Sequence, residues 1–381
     1  MITQRLPDFR LEVHFARWEF AAQYNLAASD AESMTIGELL ALAGRDPGEL
    51  ASLGLGYAPV EGSAELREAI AARYQRIEAD DVLCFAGAEE AIFWATQLLV
   101  GRGEHAVVTV PNYQSMESVA VATGADITGL PIWTGSGDAL EWDLDLDRLE
   151  AVLRPETRLV AINFPNNPTG FLPPRAAFAE LVRRCDERGI RVLSDEVYRG
   201  VELDPARTLD QAADLSETAL SVGVMSKSYG LPGLRVGWVA SRDRELLAQL
   251  ARAKHYTTIC NAVPSEYLAT LALQHADLIL ARTRRVVAAN LPAFAAFFAG
   301  YPDLFVWAPP DGGCVAFPRY LGADGVEAFC RLAVERAGVI LLPASLFASG
   351  LAEVPSDRFR IGVGRRDPDH ALGALRRLLA G

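Results

Sequence analysis

The chain has 381 residues, half of them hydrophobic, and a formal net charge of −13. That length is long for one core and predicts two lobes. The acidic balance argues against a nucleic-acid partner, because phosphate binding needs an excess of Lys and Arg.

In chain order, "SAELREAIAARYQRI" predicts a helix, with Leu66, Ile70 and Tyr74 recurring at helical spacing. "DVLCFAG" reads as a short buried strand, "AEEAIFWATQLLV" as a helix and "HAVVTVP" as a strand. "TRLVAINFP" is a strand, "RAAFAELVRRCDERG" a helix, and "IRVLSDEV" and "TALSVGVMS" are further strands. From about residue 276 the pattern changes. A long helix, "ADLILARTRRVVAANLPAFAAFFAG", leads into short strands and helices of a smaller lobe. Apolar strands separated by helices imply the α/β class, a mostly parallel sheet with helices on both faces, here with a smaller α+β domain.

In such sheets ligands bind beyond the carboxyl ends of the strands. "GAEE", "PNY", "PNNPTG", "SDEVY" and "SKSYG" each follow or close a predicted strand, so five unusual segments converge on one cleft. The scattered cysteines Cys84, Cys185, Cys260, Cys314 and Cys330 form no CxxC and no close Cys/His pairing. This argues against a metal site and fits reduced thiols in a cytoplasm. No apolar run reaches the roughly 18–20 residues of a bilayer span. "MITQRLPDFRLEVHF" carries no signal-peptide core. The expectation is a cytoplasmic protein without a membrane partner.

Each cleft residue has a plain reading of its own. Asp195 at a strand end is a desolvated carboxylate in need of a cation, or a helix N-cap. Asn167 sits among turn residues, and Tyr113 is a loop aromatic able to pack. "GAEEAI" starts a helix whose free amides can hold an anion. Lys227 could be a surface lysine beside a turn.

The combination is far more specific. "SDEVY" places Asp195 28 residues after Asn167, Lys227 follows 32 residues later, and Arg235 lies eight beyond that. With "SKSYGLPGLRVGW" as its most specific block, the pattern from "GLGYAPVEGSAELREAIA" to "RFRIGVG" resembles the fold-type I pyridoxal-phosphate enzymes of the class I/II aminotransferase family. The resemblance implies an aspartate aminotransferase-like large domain at 36–275, a small domain at 276–381, and an N-terminal arm at 1–35 that joins the small domain.

It also implies roles. Lys227 would carry the cofactor pyridoxal 5'-phosphate as a Schiff base and move a proton at the substrate Cα. Asp195 would pair with the ring nitrogen, making the ring an electron sink. Asn167 and Tyr198 would bond the ring's phenolic oxygen, and Tyr113 would stack on its face. Backbone amides of Gly87, Ala88 and Glu89, with Ser226 and Arg235, would hold the phosphate. Tyr57 would reach the phosphate of a neighbouring subunit, which implies a homodimer with shared sites. Arg360 would bind the substrate α-carboxylate, beside Asn167. The family often has a serine where this chain has Val224, so the cup loses a hydroxyl, for which Ser228 is a candidate replacement.

The implied activity is amino-group transfer between an amino acid and a 2-oxo acid. "NFPNNPTG", "MSKSYGLPGLRVGW" and "GGCVAFPR" also resemble the capreomycidine synthase-like cyclases of the same fold. "RWEF" resembles enzymes in which a glutamate meets a guanidinium, which makes Glu19 a candidate substrate contact, against the alternative of a solvated helix residue. A lyase or cyclase acting on an arginine-like amino acid is therefore the alternative, and a non-catalytic cofactor-binding relative is a third. A dinucleotide-dependent dehydrogenase is disfavoured, since no GxGxxG follows an early strand.

Overall fold

The computed structural model describes residues 5–135 and 140–381. Its centre is a seven-stranded sheet. The strands are β1 (Val82–Phe85), β2 (His105–Val110), β3 (Asp126–Pro131), β4 (Thr157–Asn163), β5 (Arg191–Asp195), β6 (Leu220–Val224) and β7 (Gly237–Ala240). They lie in the order β1-β7-β6-β5-β4-β2-β3. From β3 to β6 all neighbours are parallel, while β7 is antiparallel to both β1 and β6.

The helices that concern the site are α1 (Arg10–Trp18), α2 (Ala64–Ala71), α3 (Ala88–Leu99), α4 (Gln114–Ala122), α5 (Arg175–Glu187), α6 (Arg244–Lys254), α7 (Ala276–Ala299) and α8 (Val326–Ala337). Alternate side chains of each strand face opposite layers. Val107, Val160 and Val192 pack against Phe178 and Leu181 of α5. Ala106, Val108, Ala161 and Leu193 pack against Ile92 and Ala95 of α3 and Leu246 of α6. Burial on both faces explains why these strands read as unbroken apolar runs rather than alternating ones.

One helix ends earlier than its spacing predicts. The pattern through Tyr74 stops at Ala71 because the backbone is diverted. The amides of Gln75 and Arg76 donate to Asp214 Oδ1 at 3.0 and 2.8 Å, and Tyr74 turns inward to accept from Trp238 Nε1 at 2.9 Å. Strands β3 and β7 were not evident in the sequence.

The second lobe starts with α7, which runs through Pro292. It carries a three-stranded antiparallel sheet, β8 (Val315–Ala316), β9 (Leu342–Pro343) and β10 (Phe359–Gly362), with β10 in the middle. Phe297, Phe298, Phe305, Phe329 and Phe359 form its aromatic core. The N-terminal arm belongs against this lobe: Tyr24–Asn25 pairs in parallel with Val339–Ile340. Gly362 is required there, since a Cβ would lie 1.9 Å from the Ala28 carbonyl oxygen. The arm thus runs across β10 and delivers residues 27–30 to the ends of the large sheet. Among the described residues no helix is long and apolar enough to cross a membrane.

Candidate active site

At the carboxyl ends of the strands lies a cavity of about 240 Å³. Ala88, Glu89, Tyr113, Asn167, Asp195 and Tyr198 line it, together with Ser226, Lys227 and Arg235. Segments read separately in the sequence therefore meet in one place, as strand-end placement requires.

Lys227 stands just past β6, and its Nζ donates to Ser29 Oγ at 2.8 Å. Burial lowers its pKa, opposed by the field of Asp30 and reinforced by that of Arg360. An ammonium held by a neutral hydroxyl in a dry pocket gives up its proton more readily than a solvated one.

Asp195 ends β5 and is 4% exposed. Its Oδ1 accepts from the Val197 amide at 3.1 Å, which is the local turn role. One amide is not enough: burial pushes this carboxyl from 3.8 up to about 7. Such a group seeks a cation from a ligand. Asn163 holds the strand end in place, its Nδ2 donating to the Asp195 carbonyl at 3.0 Å and its Oδ1 accepting from the Asn167 amide at 2.7 Å.

Arg360, in the middle strand of the small lobe, is only 1% exposed. Its Nη1 donates to Asn167 Oδ1 at 2.9 Å and its Nη2 to the Ala27 carbonyl at 2.8 Å, while Nε is buried without a partner. Among the described residues no carboxylate pairs with it directly, and burial lowers its pKa to about 10. A buried guanidinium with neutral partners and a free donor is built to receive an anionic carboxylate. Tyr198 closes this side, donating to the Ser29 carbonyl at 2.9 Å.

The opposite end is made for a different anion. Gly87 caps the start of α3 with φ +106°, and a Cβ there would sit 2.6 Å from Arg235 Nη2. The guanidinium therefore lies against the turn whose amides open α3. Gly237 admits the same approach from β7: its Cβ would meet the backbone of Gly87 and Ala88 at 2.6 and 2.7 Å. Helix start, arginine and Ser226 together could cradle a phosphate.

Beneath the cup is a fully buried lysine. Lys254 Nζ donates to the carbonyls of Val60 and Cys84, both at 2.7 Å, and to Asn261 Oδ1 at 3.0 Å. Asn261 Nδ2 in turn donates to the Phe85 carbonyl at 2.7 Å. The pair fastens the end of β1, which leads into Gly87, to the loop that carries Tyr57.

Several sequence expectations land elsewhere. Glu19 does not line the cavity; it ends α1 and accepts from Asn25 Nδ2 at 3.5 Å. Its place next to Trp18 is a helix-end position. Ser228 is committed to the Val197 carbonyl at 2.9 Å and offers the cup nothing. Val224 does line the cavity, as an apolar wall. Tyr57, expected to reach a neighbouring subunit's site, lies outside this cavity and is 90% exposed, a position open to a second copy. Sequence reasoning missed Ser29, Asn163 and Glu12, the last of which also lines the cavity. Asn163, in "NFPNNPTG", had a motif signal; Ser29 and Glu12 had none.

A phosphate cup, an unpaired carboxylate and a lysine with a lowered pKa describe a ligand with a phosphate, a protonatable ring nitrogen and an aldehyde. Pyridoxal phosphate has these groups, and the residues present fit it. The comparisons with known proteins agree. Residues 30–378 match the family of class I and II aminotransferases. The chain belongs to that family, and it is a pyridoxal-phosphate-dependent aminotransferase in that sense. It is 32% identical to capreomycidine synthase of Streptomyces vinaceus over 96% of this chain and 92% of that one. A PLP-dependent aminotransferase from Streptococcus suis superposes with a TM-score of 0.89 at 28% identity, covering 99% of this chain and 98% of that one. The PLP-dependent cyclase OrfR superposes with a TM-score of 0.88, also at 28% identity and over the same shares of the two chains.

Proposed function

We propose that Lys227 is the catalytic residue of an amino-group transfer between an amino acid and a 2-oxo acid. The observation that carries this is a buried amine that shares one cavity with Asp195 and with Asn167, whose Oδ1 accepts from Arg360, and that is bonded to a hydroxyl rather than to a carboxylate. Bound pyridoxal phosphate supplies a carbonyl that condenses with amines and a ring that accepts the electron pair from Cα. The chain supplies the rest. Arg360 and Asn167 bind the substrate carboxylate and fix the orientation of Cα. The Lys227 amine takes the proton from Cα and returns it to the neighbouring carbon, which its lowered pKa favours. Asp195 would stabilise a proton on the ring nitrogen, Tyr113 would cover the ring face, and Tyr198 and Asn167 would bond the ring oxygen. Gly87, Ala88, Glu89, Ser226 and Arg235 would hold the phosphate.

The protein works as a cytoplasmic homodimer in this reading. Leu55 and Tyr57, 85% and 90% exposed on one loop, suit burial against a second copy. Residues 1–35 and 276–381 form the small unit and 36–275 the cofactor-binding unit.

The test is the visible spectrum of the purified protein. A yellow band, fixed by borohydride to Lys227 as read by peptide mass spectrometry and absent in Lys227→Ala, supports the assignment. A protein that stays colourless with added pyridoxal phosphate refutes it. A second reading, cyclisation or elimination, is favoured by the likeness to capreomycidine synthase along nearly the whole chain. Product analysis separates the two: a keto acid from the amino donor marks transfer, and a ring-closed amino acid without keto acid marks the cyclase.

A further inference from the structure

The cavity wall beside Tyr113 is acidic. Glu12, on α1, and Glu89, in the first turn of α3, both line it. Glu12 is held there by the start of its helix. Phe9 packs edge-on to Tyr113, ring centroids 5.1 Å apart. Gln114 grips the same turn: its Nε2 donates to the Asp8 carbonyl at 2.9 Å and its Oε1 accepts from the Arg10 amide at 3.0 Å. The Arg10 guanidinium bonds the Ala348 carbonyl on the far side. The Glu12 carboxylate has no hydrogen bond or ion pair among the described residues.

Glu89 points the same way with one oxygen spent. Its Oε1 accepts from Ser115 Oγ at 2.5 Å; its Oε2 is buried and accepts no hydrogen bond of full geometry among the described residues, with the Tyr113 hydroxyl nearby. Burial pushes this carboxyl up, and the charge of Glu12 adds to the rise. Glu12 lines the same cavity as Tyr113, and its charge is felt at both Tyr113 and Arg360. A desolvated, half-satisfied carboxylate beside a second one is unfavourable until a cation arrives.

We propose that Glu12 and Glu89 are the side-chain subsite of this enzyme and select an amino acid whose side chain ends in a cation, a guanidinium or an ω-ammonium, as in arginine, ornithine or lysine. The inference rests on the reading of Lys227 and Arg360 above: with the α-amine at one and the α-carboxylate at the other, the side chain takes the remaining wall. Both half-reactions use this one cavity, so the wall also meets the acceptor. A 2-oxo acid with a second carboxylate would bring like charge to Glu12 and Glu89. The acceptor is therefore a monocarboxylic 2-oxo acid. The exchange balances without an outside oxidant: the donor loses its amino group and an electron pair and becomes a 2-oxo acid, and the acceptor gains both.

The test uses holoenzyme reconstituted with pyridoxal phosphate. Apparent dissociation constants come from the change in its visible spectrum on titration with L-arginine, L-lysine, L-norleucine and L-glutamate. Turnover is compared with pyruvate and 2-oxoglutarate as acceptors. A basic amino acid should bind about tenfold or more tighter than norleucine, glutamate should bind weakest, and pyruvate should outperform 2-oxoglutarate. Glu12→Gln, an exposed change with little folding risk, should cut the preference for arginine over norleucine by about 5- to 10-fold and leave its thermal midpoint in place. Glu89→Gln should cut the same ratio while retaining the yellow band. Norleucine or glutamate binding as tightly as arginine, or a preference untouched in both variants, overturns the subsite while leaving the Lys227 site standing. A holoprotein whose spectrum responds to no amino acid overturns the Lys227 reading and the subsite with it.

Discussion

Replacing Lys254 with methionine removes the ammonium but keeps most of the stem, so packing beneath the phosphate cup changes little. What is lost is three hydrogen bonds, to the carbonyls of Val60 and Cys84 and to Asn261 Oδ1. Each acceptor left bare in a dry site costs about 1–3 kcal/mol. Against this, a charged group with no carboxylate partner no longer has to be buried; burial already lowers the Lys254 pKa, which marks that strain. The net expectation is a loss of about 3–5 kcal/mol in folding stability. The cofactor should also dissociate more readily, because the end of β1 and the loop near Tyr57 lose their common anchor. Urea unfolding of the apoprotein measures the first effect, and cofactor release on dialysis measures the second. A loss below about 1 kcal/mol with unchanged cofactor retention would show that the carbonyls are satisfied without the lysine.

Three further outcomes follow from the site. Asp195, held near 7 against an ordinary 3.8, keeps a proton in the folded apoprotein that the unfolded chain has already released. Its contribution therefore falls as pH rises between about 4 and 7, at about 1.4 kcal/mol per pH unit. Asp195→Asn should remove that share from the pH dependence of the apoprotein melting temperature, and identical profiles for the two proteins would refute the assignment. Arg360→Lys keeps the charge and loses the fork, so kcat/KM should drop by roughly 100-fold, about 2–3 kcal/mol, with the cofactor spectrum unchanged. Steady-state kinetics with one amino acid decides that. Gly237→Ala forces a methyl into the backbone of Gly87 and Ala88. Cofactor affinity should fall by an amount equivalent to about 1–3 kcal/mol, measured by equilibrium titration, with the arginine preference intact.

Much of this site was legible because its residues are punctuation. Asn167, Asp195, Tyr198, Ser226 and Lys227 interrupt or end apolar runs, and a parallel sheet sends every such interruption to the same edge. The strands themselves were plain wherever both faces are buried. Strand β7 was hidden inside a motif of glycines, and β3 carries exposed and polar positions that break the run. The end of α2 depended on Asp214, a residue 139 positions away from Gln75, and no local pattern reports that. The N-terminal arm was the hardest part. Ser29 and Glu12 reach the cavity only because Tyr24–Asn25 pairs with Val339–Ile340 and α1 is latched to α4. Glu19 sits in a suggestive dipeptide at a helix end, on the same helix as Glu12, which lines the cavity.

The arrangement of Gly87, Gly237 and Arg235 on one side and of the arm and β10 on the other divides the molecule by task. In the proposed reading, what grips the cofactor is built at the carboxyl ends of the large sheet's strands. What grips the substrate in that reading comes largely from the arm, from α1 and from the small lobe, with Glu89 and Asn167 bridging the two groups. Specificity can therefore drift through changes near Glu12 while the Lys227 and Ser29 pair stays fixed. The N-terminal segment, the stretch with the least motif signal, becomes the natural place to redesign what this enzyme accepts.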